Sequence, residues 1–367
     1  MTKNWRVHLF VRHQEDGGRL DQVKGWYGFV RNDERLIHLF PDSFAPSGLD
    51  RLRLRLRRRA DGWYAKGSCI EHATRVVVHS LEQIHSRMPF KPRHLQVLKD
   101  STVAFIGLGS VGSELAVSMA QGGVGNIILA DPAWLSIENV TRHVGHLLDV
   151  GRPKVTIVEE RIKRINPFAN VEAHVADIFE WPNDRIDGLL ARSSLIIASA
   201  DVRAVQLTAN DRAHGLRVSF MSVGCYDEAM GGEVFYTLPG TGTACYCCLR
   251  GNLPTPRQSR AIDYSTAEGP EDYKGEPALS AAVRQIADVA AQMAIALLLR
   301  DESDSRLGEL IDPRRQFLLI GSALAQGFYR FRKPFDVFFQ PLSGPRNGCF
   351  TCSSEVQRNA GGSQNGA

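Results

Sequence analysis

Thr102-Val103-Ala104-Phe105-Ile106-Gly107-Leu108-Gly109-Ser110-Val111-Gly112 is the stretch that decides the fold. Residues 102–106 form a short continuous apolar run, which predicts a buried strand. The G-x-G-x-x-G spacing then predicts a tight turn opening a helix, with Val111, Leu115 and Met119 on one side of it. Glycines at 107, 109 and 112 let the backbone turn sharply and come close to phosphate. The helix N-terminus adds free N–H groups and partial positive charge. A second predicted strand, 126–130, ends at Asp131, about 20 residues on, where a ribose-binding carboxylate is expected. These residues alone describe a nucleotide or dinucleotide site, with an NAD-dependent dehydrogenase as the first candidate.

Outward from this core, helices near 152–165 alternate with strands near 171–173 and at 195–198, predicting an α/β, mostly parallel Rossmann-like sheet covered by helices on both faces. After residue 218 the pattern turns to strands and loops, then a long helix over 279–299 and strands near 317–320 and 337–340. That long apolar stretch is interrupted by Arg284, Gln285, Asp288 and Gln292, so it reads as a buried helix and not as a membrane span. Residues 1–80 read as β-rich, with strands at 6–13, 25–32, 36–40, 51–58 and 74–79. A helix-like connector follows at 81–86, and Pro89 and Pro92 then break the pattern. The expected organisation is a small β-rich N-terminal domain over 1–97, a nucleotide domain over 98–352, and a disordered Gly/Ser/Asn/Gln tail over 353–367.

The 367 residues are 43% hydrophobic and 23% charged, ordinary for a soluble globular chain, and suffice for more than one structural unit. The formal charge of +4 is too small to imply nucleic acid by itself. Met1 leads into Thr2-Lys3-Asn4-Trp5-Arg6 without an apolar run resembling a secretion signal. Four of the seven cysteines form two Cys-x-x-Cys pairs, which in such a chain favours metal over disulfides and hence a reducing cytoplasm.

Past Asp131 come Ile137-Glu138-Asn139-Val140-Thr141-Arg142-His143, then Gly151-Arg152-Pro153-Lys154, then Ile165-Asn166-Pro167. Here the chain resembles the ThiF/MoeB/ubiquitin-activating superfamily, whose pattern runs Asn-Leu-x-Arg-Gln, Gly-x-x-Lys and Asn-Pro. Leu98-Lys99-Asp100-Ser101 ahead of the first strand also fits. The resemblance implies ATP-dependent adenylation of the C-terminal carboxylate of a ubiquitin-like or sulfur-carrier protein, with release of pyrophosphate. Fixed cations must then stabilise the charge building on the departing group. Arg142 and Lys154 are the candidates, with Asn139 donating hydrogen bonds to phosphate oxygens. The resemblance makes Asp201 the carboxylate that holds Mg²⁺; a helix N-cap is its plainer role. It also implies a homodimer, with Arg87 and Arg93 as candidates for a cation supplied across it, and a conjugating enzyme as a further partner. Ser110, Pro132, Val140 and His143 depart from the family pattern.

Cys245 and Cys248, with Cys349 and Cys352, supply two knuckles that suit one closed tetrahedral zinc site. The pairs lie roughly 100 residues apart, longer than a zinc ribbon, but that spacing is the family's. The ion would tie the C-terminal part onto the middle of the domain.

Many relatives carry a thioester-forming cysteine after the first pair, yet residues 249–277 contain none. Cys69, Cys225 and Cys247 remain outside the zinc set. Cys225 is the candidate thiol near the nucleotide, although cysteines are often buried for structural reasons. The run Arg51-Leu52-Arg53-Leu54-Arg55-Leu56-Arg57-Arg58-Arg59 alternates strictly, so a strand there puts arginines on one face. That face suits an acidic protein or phosphate, or is simply a solvated exterior. Three further readings stand beside carrier activation: MccB-like adenylation of a small peptide, an NAD-dependent oxidoreductase, and a non-catalytic scaffold. The oxidoreductase accounts for neither the Arg142–Lys154 constellation nor the cysteine pairs.

Overall fold

The computed structural model describes residues 6–11, 20, 26–31, 36–41, 50–67, 70–250 and 277–352. The chain divides into two compact units, Met1–Pro89 and Phe90–Ala367. Cys69, most of the 249–277 segment and the 353–367 tail lie outside the described residues.

The first unit contains β1 (Arg6–Val11), β2 (Trp26–Arg31), β3 (Leu36–Pro41), β4 (Asp50–Leu52), β5 (Leu54–Arg59), β6 (Gly62–Gly67) and β7 (Ile70–Ser80). They form one sheet in the order β4-β2-β3-β1-β7-β6-β5, with β1 parallel to both β3 and β7. Period-two alternation sends Val7, Leu9, Ile37, Leu39, Trp63, Ala65 and Val76 to one buried face. The arginine run expected as one strand is two, broken at Arg53. β4 pairs with β2 and β5 with β6, so the chain leaves one end of the strand order and joins the other. β6 was not legible, because glycines bound it and Lys66 interrupts it. The connector at 81–86 is a short 3-10 turn, Leu81–His85.

The second unit opens with α1 (Pro92–Asp100), where the sequence predicts only a proline break. Pro92 occupies the first helical turn, where the missing N–H has no partner to lose. Leu98 is fully buried, and Phe90 and Val97 pack against the same core, so this helix belongs with the second unit. There follow β8 (Thr102–Ile106), α2 (Ser110–Gln121), β9 (Asn126–Ala130), α3 (Lys154–Ile165), β10 (Asn170–His174), α4 (Asn183–Leu190), β11 (Leu195–Ala198), α5 (Arg203–Leu216), β12 (Ser219–Cys225) and β13 (Gly231–Thr237). After these come α6 (Tyr246–Arg250), α7 (Ser280–Leu298), β14 (Phe317–Gly321) and β15 (Val337–Gln340).

The eight strands run β10-β9-β8-β11-β12-β13-β14-β15. The five from β10 to β12 are parallel, and β13 to β15 extend the sheet antiparallel. Side chains of β8 alternate between two cores. Val103 and Phe105 join α2, α3 and α7 on one face, while Ala104 and Ile106 join α4, α5 and Tyr246 on the other. Helices therefore cover both faces, as the βαβ pattern predicted. α7 is long and apolar enough to cross a membrane, yet Val283, Ile286, Ala290, Ala294 and Leu297 all pack into the first of these cores. The parallel strands point their carboxyl ends at one edge, where ligands bind in open α/β sheets.

Candidate functional site

Gly107 leaves β8 with φ +92°, a conformation only glycine adopts freely. A Cβ there would sit 2.7 Å from the amide nitrogen of Ala200, and one on Gly112 would sit 2.2 Å from the Gly107 carbonyl oxygen. These glycines close the turn against the end of β11. Ser199 completes that seam by donating its hydroxyl to the Gly107 carbonyl at 2.8 Å. Gly109 is different: a Cβ on it would meet nothing within 4 Å. It marks the open side of the cradle at the N-terminus of α2.

Asp131 is buried and holds the turn. One carboxylate oxygen accepts from the Leu108 N–H at 2.5 Å, the other from the Ala133 N–H at 2.7 Å. The segment after it pairs with the loop before α3: the Lys154 N–H donates to Ala133 O, and the Gly151 N–H to Leu135 O. Buried Asp149 caps that loop, accepting from the His146 N–H at 3.1 Å and from Arg152 at 2.6 Å. Lys154 is thus delivered to the same edge by a hydrogen-bonded loop, with Gly151 at φ +84°.

The polar groups converge electrostatically on Asp201, just beyond β11. Asp201 is an exposed residue directly after the Ala200 amide against which Gly107 packs. Burial raises its pKa, Lys154 and Arg142 pull it back down, and Asp131 pushes it up. His143 feels Lys154 as well: burial first, then that ammonium, lowers its pKa to about 4, so the ring is neutral. Cys225, at the end of β12, is exposed, but its thiol is pushed up to about 12 by desolvation and by Asp201, against the pull of Arg142. Arg142, Lys154, Asp201, Asp131 and Cys225 therefore share one neighbourhood. Asn139 is 8% exposed, and its Oδ1 has no hydrogen-bond partner; neither have the two buried carboxylate oxygens of Glu138. Buried oxygens left without partners fit a site completed by a ligand or cation.

In the sequence Glu138 carries no site signal, and His143 stands out only as a departure from the family pattern. Nothing in residue type alone marks Glu138. His143 could have been noted, because an imidazole beside an Arg and a Lys must be neutral to be buried. Arg93 is already paired, with Glu302 at 3.3 Å and with Asp304. Arg87 is exposed. A cavity of about 340 Å³ opens elsewhere, beside β10 and α4. Its polar groups satisfy one another: Glu172 binds both His174 at 3.0 Å and Arg192 at 2.7 Å.

The four cysteine sulfurs, Cys245, Cys248, Cys349 and Cys352, lie within 4.8 Å of one another. Neighbouring sulfurs are 3.7 Å (Cys245–Cys248), 3.4 Å (Cys245–Cys349) and 3.4 Å (Cys248–Cys352) apart. That is too long for a disulfide. A tetrahedral zinc with bonds of about 2.3 Å separates its sulfurs by about 3.8 Å. The donor set therefore fits zinc. Cys247 packs against this cluster and lies 3.2 Å from Thr351 Oγ1. From the knuckle a relay runs to the nucleotide edge: Tyr246 donates to Gln206 Oε1 at 2.6 Å, and Gln206 donates to Ala200 O at 3.0 Å, one residue before Asp201.

The chain is 48% identical over 80 residues to the tRNA threonylcarbamoyladenosine dehydratase of Bacillus subtilis, covering 22% of this chain and 32% of that protein. It is 27% identical over 165 residues to ubiquitin-like modifier-activating enzyme 5 of Caenorhabditis briggsae, 43% of this chain and 38% of that one. With the molybdopterin-synthase adenylyltransferase of Escherichia coli the figures are 30% over 155 residues, 42% and 60%. The chain thus spans only about a third of the first two relatives' length. Crystal structures of E. coli MccB share the fold, at TM-score 0.54 and 16% identity over 82% of this chain and 94% of that one. The sequence model of the ThiF family matches residues 82–320, and by that match, which spans the glycine turn, Lys154 and Asp201, the chain belongs to the ThiF family.

Proposed function

We propose that this protein uses MgATP to adenylate the C-terminal carboxylate of a ubiquitin-like or sulfur-carrier protein, working as a cytoplasmic homodimer. A carboxylate oxygen attacks the α-phosphorus, the bond to the bridging oxygen of the β-phosphate breaks, and acyl-AMP and pyrophosphate result. Gly109 and the N-terminus of α2 receive the phosphates. Lys154 and Arg142 balance the charge that collects on the departing pyrophosphate, Asn139 orients phosphate oxygens, and Asp201 holds Mg²⁺. The metal, when bound, screens the triphosphate against the incoming carboxylate. The observation that carries this reading is the glycine turn, open at Gly109 and packed at Gly107 against Ala200, with the charged groups of Arg142, Lys154, Asp131 and Asp201 gathered beside it. A dehydrogenase has no use for that concentration of charge, because its diphosphate never reacts.

Transfer to a thiol, and from it to a conjugating enzyme, would fall to Cys225. The sulfur must attack the acyl carbonyl as thiolate and expel AMP, so its proton must first pass to a base. A thiol pushed up to about 12 does this slowly, which favours acyl-adenylate as the released product in the absence of a further partner. Peptide adenylation is the second reading, and the fold shared with MccB over 82% of the chain favours it.

ATP–pyrophosphate exchange tests the proposal, with carrier proteins ending in Gly-Gly, short peptides, and no substrate as parallel arms. Lys154→Ala and Asp201→Ala should each slow exchange about 100-fold or more. Unchanged exchange in both variants would refute the assignment, and a peptide-only response would select the second reading.

A further inference from the structure

The positive charge of this chain is not spread evenly. Residues 1–89 carry 16 Lys and Arg against 10 Asp and Glu, a net +6, whereas the whole chain carries only +4. The rest of the molecule is therefore slightly acidic. The structure concentrates the excess further. Register pairs Arg55 with Lys66, Arg57 with Tyr64 and Tyr64 with Arg75, and residues paired across strands share a face. Trp63, Ala65 and Val76 point to the buried side, so Arg55, Arg57, Arg59, Lys66 and Arg75 all stand on the other, and all are exposed. Asp61 is an acid beside them. Its carboxylate is taken by the Tyr64 hydroxyl at 2.6 Å, while Arg59 lies 4.3 Å over the Tyr64 ring.

From this we propose that the β5–β6–β7 face binds the phosphate backbone of a nucleic acid. The alternation sets the arginines about 7 Å apart along β5, a row suited to successive phosphates of an extended strand. A folded protein partner needs an apolar centre to its interface, with charge kept to the rim. This face departs from that pattern, since Leu54 and Leu56 turn inward while Arg55, Arg57 and Arg59 line the edge strand β5, with Lys66 on β6 and Arg75 on β7 facing the same way. The mean charge of the chain hid the feature.

The test is fluorescence anisotropy of the intact protein with a labelled 20-nucleotide single-stranded RNA, the matching DNA and a duplex, across a salt series. Arms with polyglutamate and with vesicles containing phosphatidylserine run alongside. Nucleic acid should bind with a log K against log salt slope of about −3, as four or five neutralised phosphates give on a single strand. Arg55→Glu with Arg57→Glu should weaken binding at least 10-fold and flatten the slope. Arg55→Gln with Arg57→Gln, milder in case reversal disturbs folding, should flatten it by about one to two. Undiminished binding by both double variants, absence of salt-dependent binding, or tighter binding to polyglutamate or vesicles would overturn the proposal. Pyrophosphate exchange does not enter this test, so it stands apart from the adenylation reading.

Discussion

The Nε2 atom of His143 lies 3.0 Å from the carbonyl oxygen of Leu108, which ties the turn carrying Asn139 and Arg142 to the glycine turn. Its other ring nitrogen accepts from the Gly145 N–H at 2.9 Å, so the proton sits on Nε2 and the ring is neutral. The family's usual glutamine can offer the same donor and acceptor, which explains why an imidazole is tolerated there.

This linkage predicts a pH signature. The folded pKa of about 4 lies below the ordinary 6.5, so the fold prefers the neutral ring. The stability this contributes is complete above pH 6.5 and is lost as pH falls toward 4. Between pH 7 and 4.5 the wild type should lose on the order of 2–3 kcal/mol that His143→Gln does not lose. His143→Ala, which strands two buried backbone groups, should cost about 1–3 kcal/mol at pH 7. Urea melts at both pH values measure all three; equal pH sensitivity in wild type and His143→Gln would remove the neutral-ring account.

The glycine turn separates fold from function. Gly112→Ala drives a methyl into the Gly107 carbonyl at 2.2 Å and should destabilise the protein by about 2 kcal/mol or more. Gly109→Ala meets nothing within 4 Å, and its φ of −67° suits alanine, so the melt should be unchanged. The same methyl points into the proposed phosphate cradle, and ATP should bind about 10-fold more weakly. Calorimetric titration with ATP, beside thermal melts of both variants, tests the pair. Full affinity in Gly109→Ala would move the phosphates elsewhere.

The sequence disclosed what repeats or alternates, and missed what depends on distant partners. β8, β9 and β11 have the bounds their apolar runs predicted, because strands buried on both faces need no interruption. The cysteine pairs were equally legible, since a knuckle's spacing is local even when its partner lies across the chain. α4 had no counterpart in the sequence pattern, because the Asp177 cap of the turn before it carries its signal in one side chain; α5 was implied only by the N-cap alternative for Asp201, and Val202 holds that cap position instead. Pro92 misled because proline ends a helix or begins one according to its position alone. Glu138 became visible only as a carboxylate without partners, a property of packing that no motif records.

Cys225 allows a direct reading of the local field. Desolvation and the neighbouring Asp201 charge push its thiol up to about 12, against the ordinary 9.0. At pH 8 its thiolate fraction, and with it alkylation by iodoacetamide, should fall about 1,000-fold below that of a free thiol, even though the residue is exposed. Asp201→Asn removes the second of these causes and should accelerate alkylation several-fold. Mass spectrometry of the peptide carrying Cys225 gives both rates. Fast alkylation of the wild type would show that the thiol is not held neutral and would revive a direct thioester step.

Removing metal should act at two distances. Structural zinc contributes on the order of 10 kcal/mol in small peptides, and here it would pin Cys349 and Cys352 to the knuckle that begins α6. Purified protein is expected to carry one zinc per chain by elemental analysis, and Cys349→Ser should unfold at a temperature lower by 10 °C or more. The longer reach runs through Tyr246 and Gln206 to the Ala200 carbonyl beside Asp201. Tyr246→Phe deletes only the hydroxyl, so zinc should remain bound while the Asp201 loop loosens. If that relay positions the magnesium carboxylate, the variant's exchange activity will need several-fold more Mg²⁺ at an unaltered zinc content. An unchanged Mg²⁺ requirement would leave the knuckle a clamp on the C-terminal part alone, without a hold on the nucleotide edge.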